Sequence, residues 1–262
     1  MTADDDGAGR GVGARTVVGS GALTGVVFLS VLSRKLESGC APAGGLGAFL
    51  SPAEVTAAGR FRRVEDRLDY AASHVLFRLL AARWLGLPPL AAAGLGVTRL
   101  CSGCGSTQHG KPAVEGVSLS LSRSHGAMIA AAGPARTPVG ADIERLPDRL
   151  FDGFDEFVAA PGERGQLPTH DVAGRLRLWV AKEAVLKAAG LGLAVEPSSV
   201  HLTPAGCSLF VADCPGQPKV HGLTVGPVPV PEGYLAAVSA GSGLPPVSLS
   251  LADVFGAGRL PR

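Results

Sequence analysis

A carboxylate and an ammonium stand one helical turn apart in Leu178 to Leu193, LWVAKEAVLKAAGLGL, where Trp179, Glu183 and Lys187 recur at i, i+4 and i+8. On a helix that spacing lines the three along one stripe, with Leu178, Val185, Leu186 and Ala189 making apolar contacts elsewhere. Taken alone, a Glu four residues before a Lys only supports its helix, by roughly 0.2–0.5 kcal/mol. A second acidic pattern changes its meaning. In Thr137 to Leu146, TPVGADIERL, Asp142 and Glu144 alternate with Ala141 and Ile143 as on a strand, so the two acids share a face. Carboxylates roughly 6.6 Å apart along a strand repel each other unless the face is wet or a cation lies between them. Magnesium, with manganese as the alternative, suits a few carboxylates plus water and substrate phosphates, and Glu183 offers a third acid from a distant segment.

The pairing of VGADIE (Val139 to Glu144) with WVAKEAVLK (Trp179 to Lys187), about thirty-five residues apart, resembles the two signature motifs of the 4'-phosphopantetheinyl transferases. The resemblance implies transfer of phosphopantetheine from coenzyme A to a serine of an apo acyl or peptidyl carrier protein. Asp142, Glu144 and Glu183 are then the metal ligands. Glu183 also takes the serine proton, directly or through a metal-bound water, and Lys187 balances charge on the leaving phosphate or protonates it. Lys182 is read as a binding or surface residue, and Trp179 as core packing. Val180 stands where relatives often carry Ser or Thr.

The elements that must position these groups follow from the pattern on either side. Val26 to Leu32 reads as a first strand, and Ser51-Pro52 with Glu54 as a helix start. Asp66 to Gly86 is a long core helix, on the spacing of Leu68, Ala72, Val75, Leu76, Leu79, Leu80 and Trp84. This region resembles the family's first helical region, which implies phosphate-gripping arginines, Arg60 and Arg67 among them, although Glu54, Val55 and Ala57 stand where some relatives have lysines. His109-Gly110-Lys111-Pro112 matches the family's Gly-Lys-Pro motif and implies that Lys111 and Pro112 line the coenzyme A site. Val117 to Ser122 and Ala127 to Ala132 are strands joined by the turn Ser122 to Gly126. Ser124-His125 falls on the family's Asn-x-Ser-His-Ser motif, with Ser122 and Gly126 departing from it, and is implied in coenzyme A binding.

A hinge is expected at Gly133 to Pro138, where Gly and Pro cluster. The run from Pro147 to Asp171 reads as short helix and loop, and its Phe157 to Arg164 stretch as packing. Ser199 to Val211 and Gly233 to Ala240 read as closing strands, with a further short strand at Val247 to Leu251. The expected limits are a tail at 1–25, an N-terminal subdomain at 26–135, a C-terminal subdomain at 136–252 and a tail at 253–262. The fold class is α+β. The resemblance, to the large surfactin-synthetase type, implies two similar subdomains, each a mostly antiparallel sheet on a long helix, related by a pseudo-two-fold with the site between them, and a monomer.

Composition narrows the alternatives. With 262 residues, 46% of them hydrophobic, the chain can bury a sizeable core. Its net charge of +2 comes without long basic blocks, so neither nucleic acid nor membrane is expected as a partner. Five cysteines and an acidic start without an h-region fit reduced thiols in the cytoplasm. Cys101 and Cys104 with His109 fall short of the four ligands of a structural zinc site. An acidic carrier would meet the arginines and an apolar patch near Leu191 and Leu193. A metal-dependent phosphodiesterase would use similar acids but calls for a basic stripe. A non-catalytic coenzyme A or carrier-binding module would be expected to have lost one of the acids or Lys187.

Overall fold

The computed structural model describes residues 23–100, 105–106, 110–166, 168, 170–206, 208–241, 243 and 245–256. Most of the expected N-terminal tail, Cys101, Cys104, His109 and residues 257–262 lie outside the described residues. The first half runs β1 (Val27–Leu32), α1 (Ser33–Cys40), α2 (Pro52–Ala58), α3 (Val64–Trp84), β2 (Thr98–Leu100), β3 (Lys111–Ala113), β4 (Val117–Ser124) and β5 (Ala127–Pro134). The second half continues with β6 (Val139–Arg145), α4 (Phe154–Val158), α5 (Val172–Ala189), β7 (His201–Pro204), β8 (Phe210–Asp213), β9 (Thr224–Pro227) and β10 (Tyr234–Ala240). It closes on β11 (Val247–Ser248) and α6 (Leu251–Phe255).

Period-two alternation builds two sheets, in the orders β11-β1-β5-β4 and β6-β10-β9-β8-β7, with β2 and β3 forming a separate pair. Each strand face has its own destination. Val27, Leu29 and Val31 of β1 and Met128, Ala130 and Ala132 of β5 pack with α3. The alternate residues Phe28, Ile129 and Ala131 meet Val139, Ala141 and Ile143 of β6 and Ala236 and Val238 of β10, so the sheets share a core. Beyond the second sheet, Val180, Ala184, Val185 and Leu186 of α5 pack on Val225 and Ala237. The protein is therefore mixed α and β, with a long helix on the outer face of each sheet.

Local signals explain several ends. Ser51 caps α2 in a full capping box with Glu54. Asp171 caps α5 through the Gly174 N–H, and Gly190, left-handed at φ 73°, closes it. The β4–β5 hairpin turns on His125 and Gly126 alone, at φ 45° and 86°, so β4 runs to Ser124 rather than Ser122. The span Ser199 to Val211 divides into β7 and the first half of β8. The chain also returns to its beginning: β11 pairs parallel with β1, and Leu249 and Val254 join the α3 core. Residues 247–255 thus sit with the first half, not with the second half and tail where the sequence reading put them. Among the described residues, no helix is long and apolar enough to cross a membrane.

Lys182 corrects an expectation. It is fully buried, donating to Val158 O at 2.8 Å and to Glu163 Oε2 at 2.5 Å, not a surface or binding group. Glu163 also accepts the N–H groups of Ala160 and Leu202, so this one ion pair joins α5, the end of α4 and the start of β7. Phe157 and Trp179 pack at 5.7 Å between ring centres, as expected of a packing stretch.

Two substitutions test this frame. A Cβ at Gly140 would lie 1.9 Å from Ala184 O and 2.4 Å from Ala188 N, so Gly140→Ala forces β6 from α5 and should cost at least about 1–3 kcal/mol in urea denaturation. Glu163→Ala strands the Lys182 charge and should cost about 3–5 kcal/mol, whereas the double change with Lys182→Met should recover much of that loss.

Candidate active site

Strand and helix bring the chemistry of two segments together. On β6, Ala141 and Ile143 go into the inter-sheet core, which turns Asp142 and Glu144 to the other face. Across from them lies α5, held close because Gly140 has no side chain. Lys187 Nζ donates to Asp142 Oδ1 at 2.6 Å and to Ser122 Oγ at 3.0 Å, and Ser122 Oγ itself donates to Asp142 Oδ1 at 2.7 Å. Ser124 Oγ donates to Glu144 Oε2 at 2.7 Å.

The acids are held in an environment that resists charge. Asp142 is 2% exposed and Glu183 6%. Burial pushes the Glu183 carboxyl up from 4.5 to about 7, against the Lys187 ammonium and with help from the negative charges of Asp142 and Glu144. Burial also raises Glu144, partly offset by its bond from Ser124. Among the described residues, the buried Asp142 Oδ2 and Glu183 Oε1 have no hydrogen-bond partner. Orphaned carboxylate oxygens of this kind cost free energy unless a proton or a cation satisfies them. Among the described residues no group of three or more His, Cys, Asp or Glu is gathered as a metal site. The donor set nonetheless suits a hard divalent cation: all oxygen, carboxylate, with two buried oxygens unpaired.

The residues expected to hold coenzyme A fall in three places. Ser124 and His125 lie beside the acids, with Ser124 Oγ 3.0 Å from His125 Nδ1 and the His125 ring exposed. Arg60 and Arg67 are exposed near the start of α3, and Arg67 donates to Phe61 O at 3.0 Å. Lys111 departs from expectation. Its Nζ donates to Val139 O at 2.9 Å and Lys187 O at 3.0 Å, so it lies on main chain instead of in an open phosphate site; Pro112 follows it in β3. Glu54, at a position where lysines were noted in relatives, is locked to Arg78 at 2.6 Å and His74 at 2.9 Å. Burial works against its charge, but these bonds and the Ser51 N–H bring its carboxyl down to about 2.

Sequence reading missed Arg123 and Tyr70. Arg123 lies over the Tyr70 ring at 5.7 Å and Tyr70 packs on His74 at 4.2 Å; burial and the Glu54 charge push the Tyr70 hydroxyl up, and the charges of Arg99, Arg123 and Arg60 oppose them. These guanidiniums come from separate loops and strands, so no local sequence pattern groups them.

Strand and helix together define a buried carboxylate–lysine centre. Residues 138–237 match the family model of the 4'-phosphopantetheinyl transferase superfamily, a stretch that contains Asp142, Glu144, Glu183 and Lys187 and ends within β10. Arg60, Lys111, Ser124 and His125 fall outside the matched stretch. No curated protein matches the chain.

The raised Glu183 makes stability depend on pH. Between 4.5 and about 7 the folded chain holds a proton that the unfolded chain has released, so this stabilisation is complete below 4.5 and is lost as pH rises through 7. In metal-free buffer, Glu183→Gln should therefore gain on the wild type in urea midpoint as pH rises across that window. A constant difference would mean that Glu183 does not titrate there.

Proposed function

We propose that this protein is a magnesium-dependent 4'-phosphopantetheinyl transferase of the surfactin-synthetase type, acting as a monomer in the cytoplasm on acyl or peptidyl carrier proteins. The observation that carries the reading is the buried pair of unpartnered oxygens on Asp142 and Glu183 beside Lys187, within the family-matched stretch. A serine hydroxyl of the carrier attacks the pyrophosphate phosphorus that bears the pantetheine arm. The new Ser O–P bond replaces the P–O bond to adenosine 3',5'-bisphosphate, and the serine proton must leave.

Glu183 suits that proton. Its charged form, favoured by the cation it would help hold, accepts the proton directly or through a metal-bound water. Lys187, at 2.6 Å from Asp142, keeps a positive charge at the site and stabilises the departing bisphosphate. Asp142, Glu144 and Glu183 would hold magnesium, whose chemistry there is to neutralise and align pyrophosphate oxygens. Tyr70 with Arg60, Arg99 and Arg123 takes the nucleotide end, and His125, exposed at its hairpin, a phosphate between. The carrier docks beside the exposed Leu193, its acidic helix facing arginines.

Intact mass of apo carrier proteins after incubation with coenzyme A and magnesium tests this directly. The expected result is a gain of one phosphopantetheine, abolished by chelator and reduced at least about a hundredfold by Asp142→Ala or Glu183→Ala with circular dichroism unchanged. Coenzyme A cleaved without a carrier would point to a hydrolase. Binding without transfer would make the chain a coenzyme A or carrier-binding module, and full transfer by either variant would remove these acids from the site.

A further inference from the structure

Among the described residues β6 is an edge strand, paired with β10 alone, and one side of its backbone faces the first half. Unpaired edge groups need partners when they are covered. Ser120 Oγ accepts the Ala141 N–H at 3.0 Å, and Ser124 Oγ accepts the Arg145 N–H at 3.2 Å. The Val139 carbonyl on the same edge takes Lys111 Nζ at 2.9 Å. The same ammonium reaches the Lys187 carbonyl at 3.0 Å, in the last turn of α5, where helical carbonyls lack in-helix donors and a cation is favoured by the helix dipole.

We infer that Lys111 is a positioning residue, a clamp from the β2–β3 pair that fixes the last turn of α5 against the start of β6. The two main chains it joins are those whose side chains meet at the site, since β6 carries Asp142 and Lys187 donates to it. Two of the three N–H groups of Lys111 are committed to carbonyls, which leaves little for a phosphate. Release of the clamp would let the Lys187 side chain shift relative to Asp142 while the nucleotide end of the site stays as it is.

The inference rests on the transferase reading for its kinetic arm only. Lys111→Met and Lys111→Arg are compared with wild type by transfer kinetics and by hydrogen exchange of the substrate-free chain at Gly190 and Leu191, whose N–H groups bond Lys187 O and Leu186 O. The clamp predicts that Lys111→Met lowers kcat by about a hundredfold, as a misplaced group does, and speeds exchange at both amides. It also predicts that KM for coenzyme A stays within about threefold and that arginine, which can donate to both carbonyls, restores kcat and protection. A KM raised more than about tenfold with kcat and exchange unchanged would make Lys111 a phosphate contact and overturn the clamp. If Lys111→Met does not fold, the arginine variant decides: native kcat with protection supports the clamp, and native kcat without protection overturns it. If the wild type shows no transfer, the transferase reading fails by itself, and unchanged exchange in Lys111→Met would still sink the clamp.

Discussion

The close approach of β6 to α5 at Gly140 is the constraint on which the site depends. The backbone of Gly140 lies so near Ala184 and Ala188 that no side chain fits between them. Those two alanines are the immediate neighbours of Glu183 and Lys187, and Gly140 is two residues before Asp142. A main-chain contact therefore sets the distance between acids that are far apart in sequence, and does so with rigid groups in place of flexible side chains. Small residues on the facing turn of α5, Ala181, Ala184 and Ala188, make that approach available.

Once the backbones are this close, the electrostatics follow. Three carboxylates and one ammonium share a poorly hydrated space, where each charge acts more strongly than it would in water. Lys187 answers one oxygen of Asp142, and Ser122 answers the same oxygen. Among the described residues the second oxygen of Asp142 and one of Glu183 have no hydrogen-bond partner, and burial, with the charges of Asp142 and Glu144, raises Glu183. A fully paired cluster would be more stable and chemically idle. The two unpaired oxygens are what a proton or a cation would satisfy.

Much of this was legible in the chain. Alternation put Asp142 and Glu144 on one face of a strand, and helical spacing put Glu183 and Lys187 on one stripe; both α3 and α5 and most of the longer strands followed from apolar periodicity. What escaped were groups whose partners are main chain or lie far away. Lys111 looks in sequence like any loop lysine, because carbonyl acceptors leave no trace in residue identity. Lys182 looks like a solvated neighbour of Glu183 until Glu163, from the turn after α4, reaches it. Short elements such as α1, β9 and α6 carry too few residues to display a period, and the parallel pairing of β11 with β1 spans almost the whole chain.

The serine alternation of β4 shows how one pattern can hide two meanings. VSLSLS reads as a strand with one apolar and one wet face, and the leucine face does pack on α3. The serine face is not wet: Ser120, Ser122 and Ser124 are buried against β6 and bond its N–H groups and its acids. Hydroxyls can do this because each both donates and accepts on a side chain short enough to let two edge strands approach. A long charged side chain at Ser120 or Ser124 would crowd this joint, and an apolar one would leave an N–H of β6 unpaired. The same small groups that finish the backbone of β6 thus orient Asp142 and Glu144, so the joint between the two halves and the site between them are built from one set of atoms.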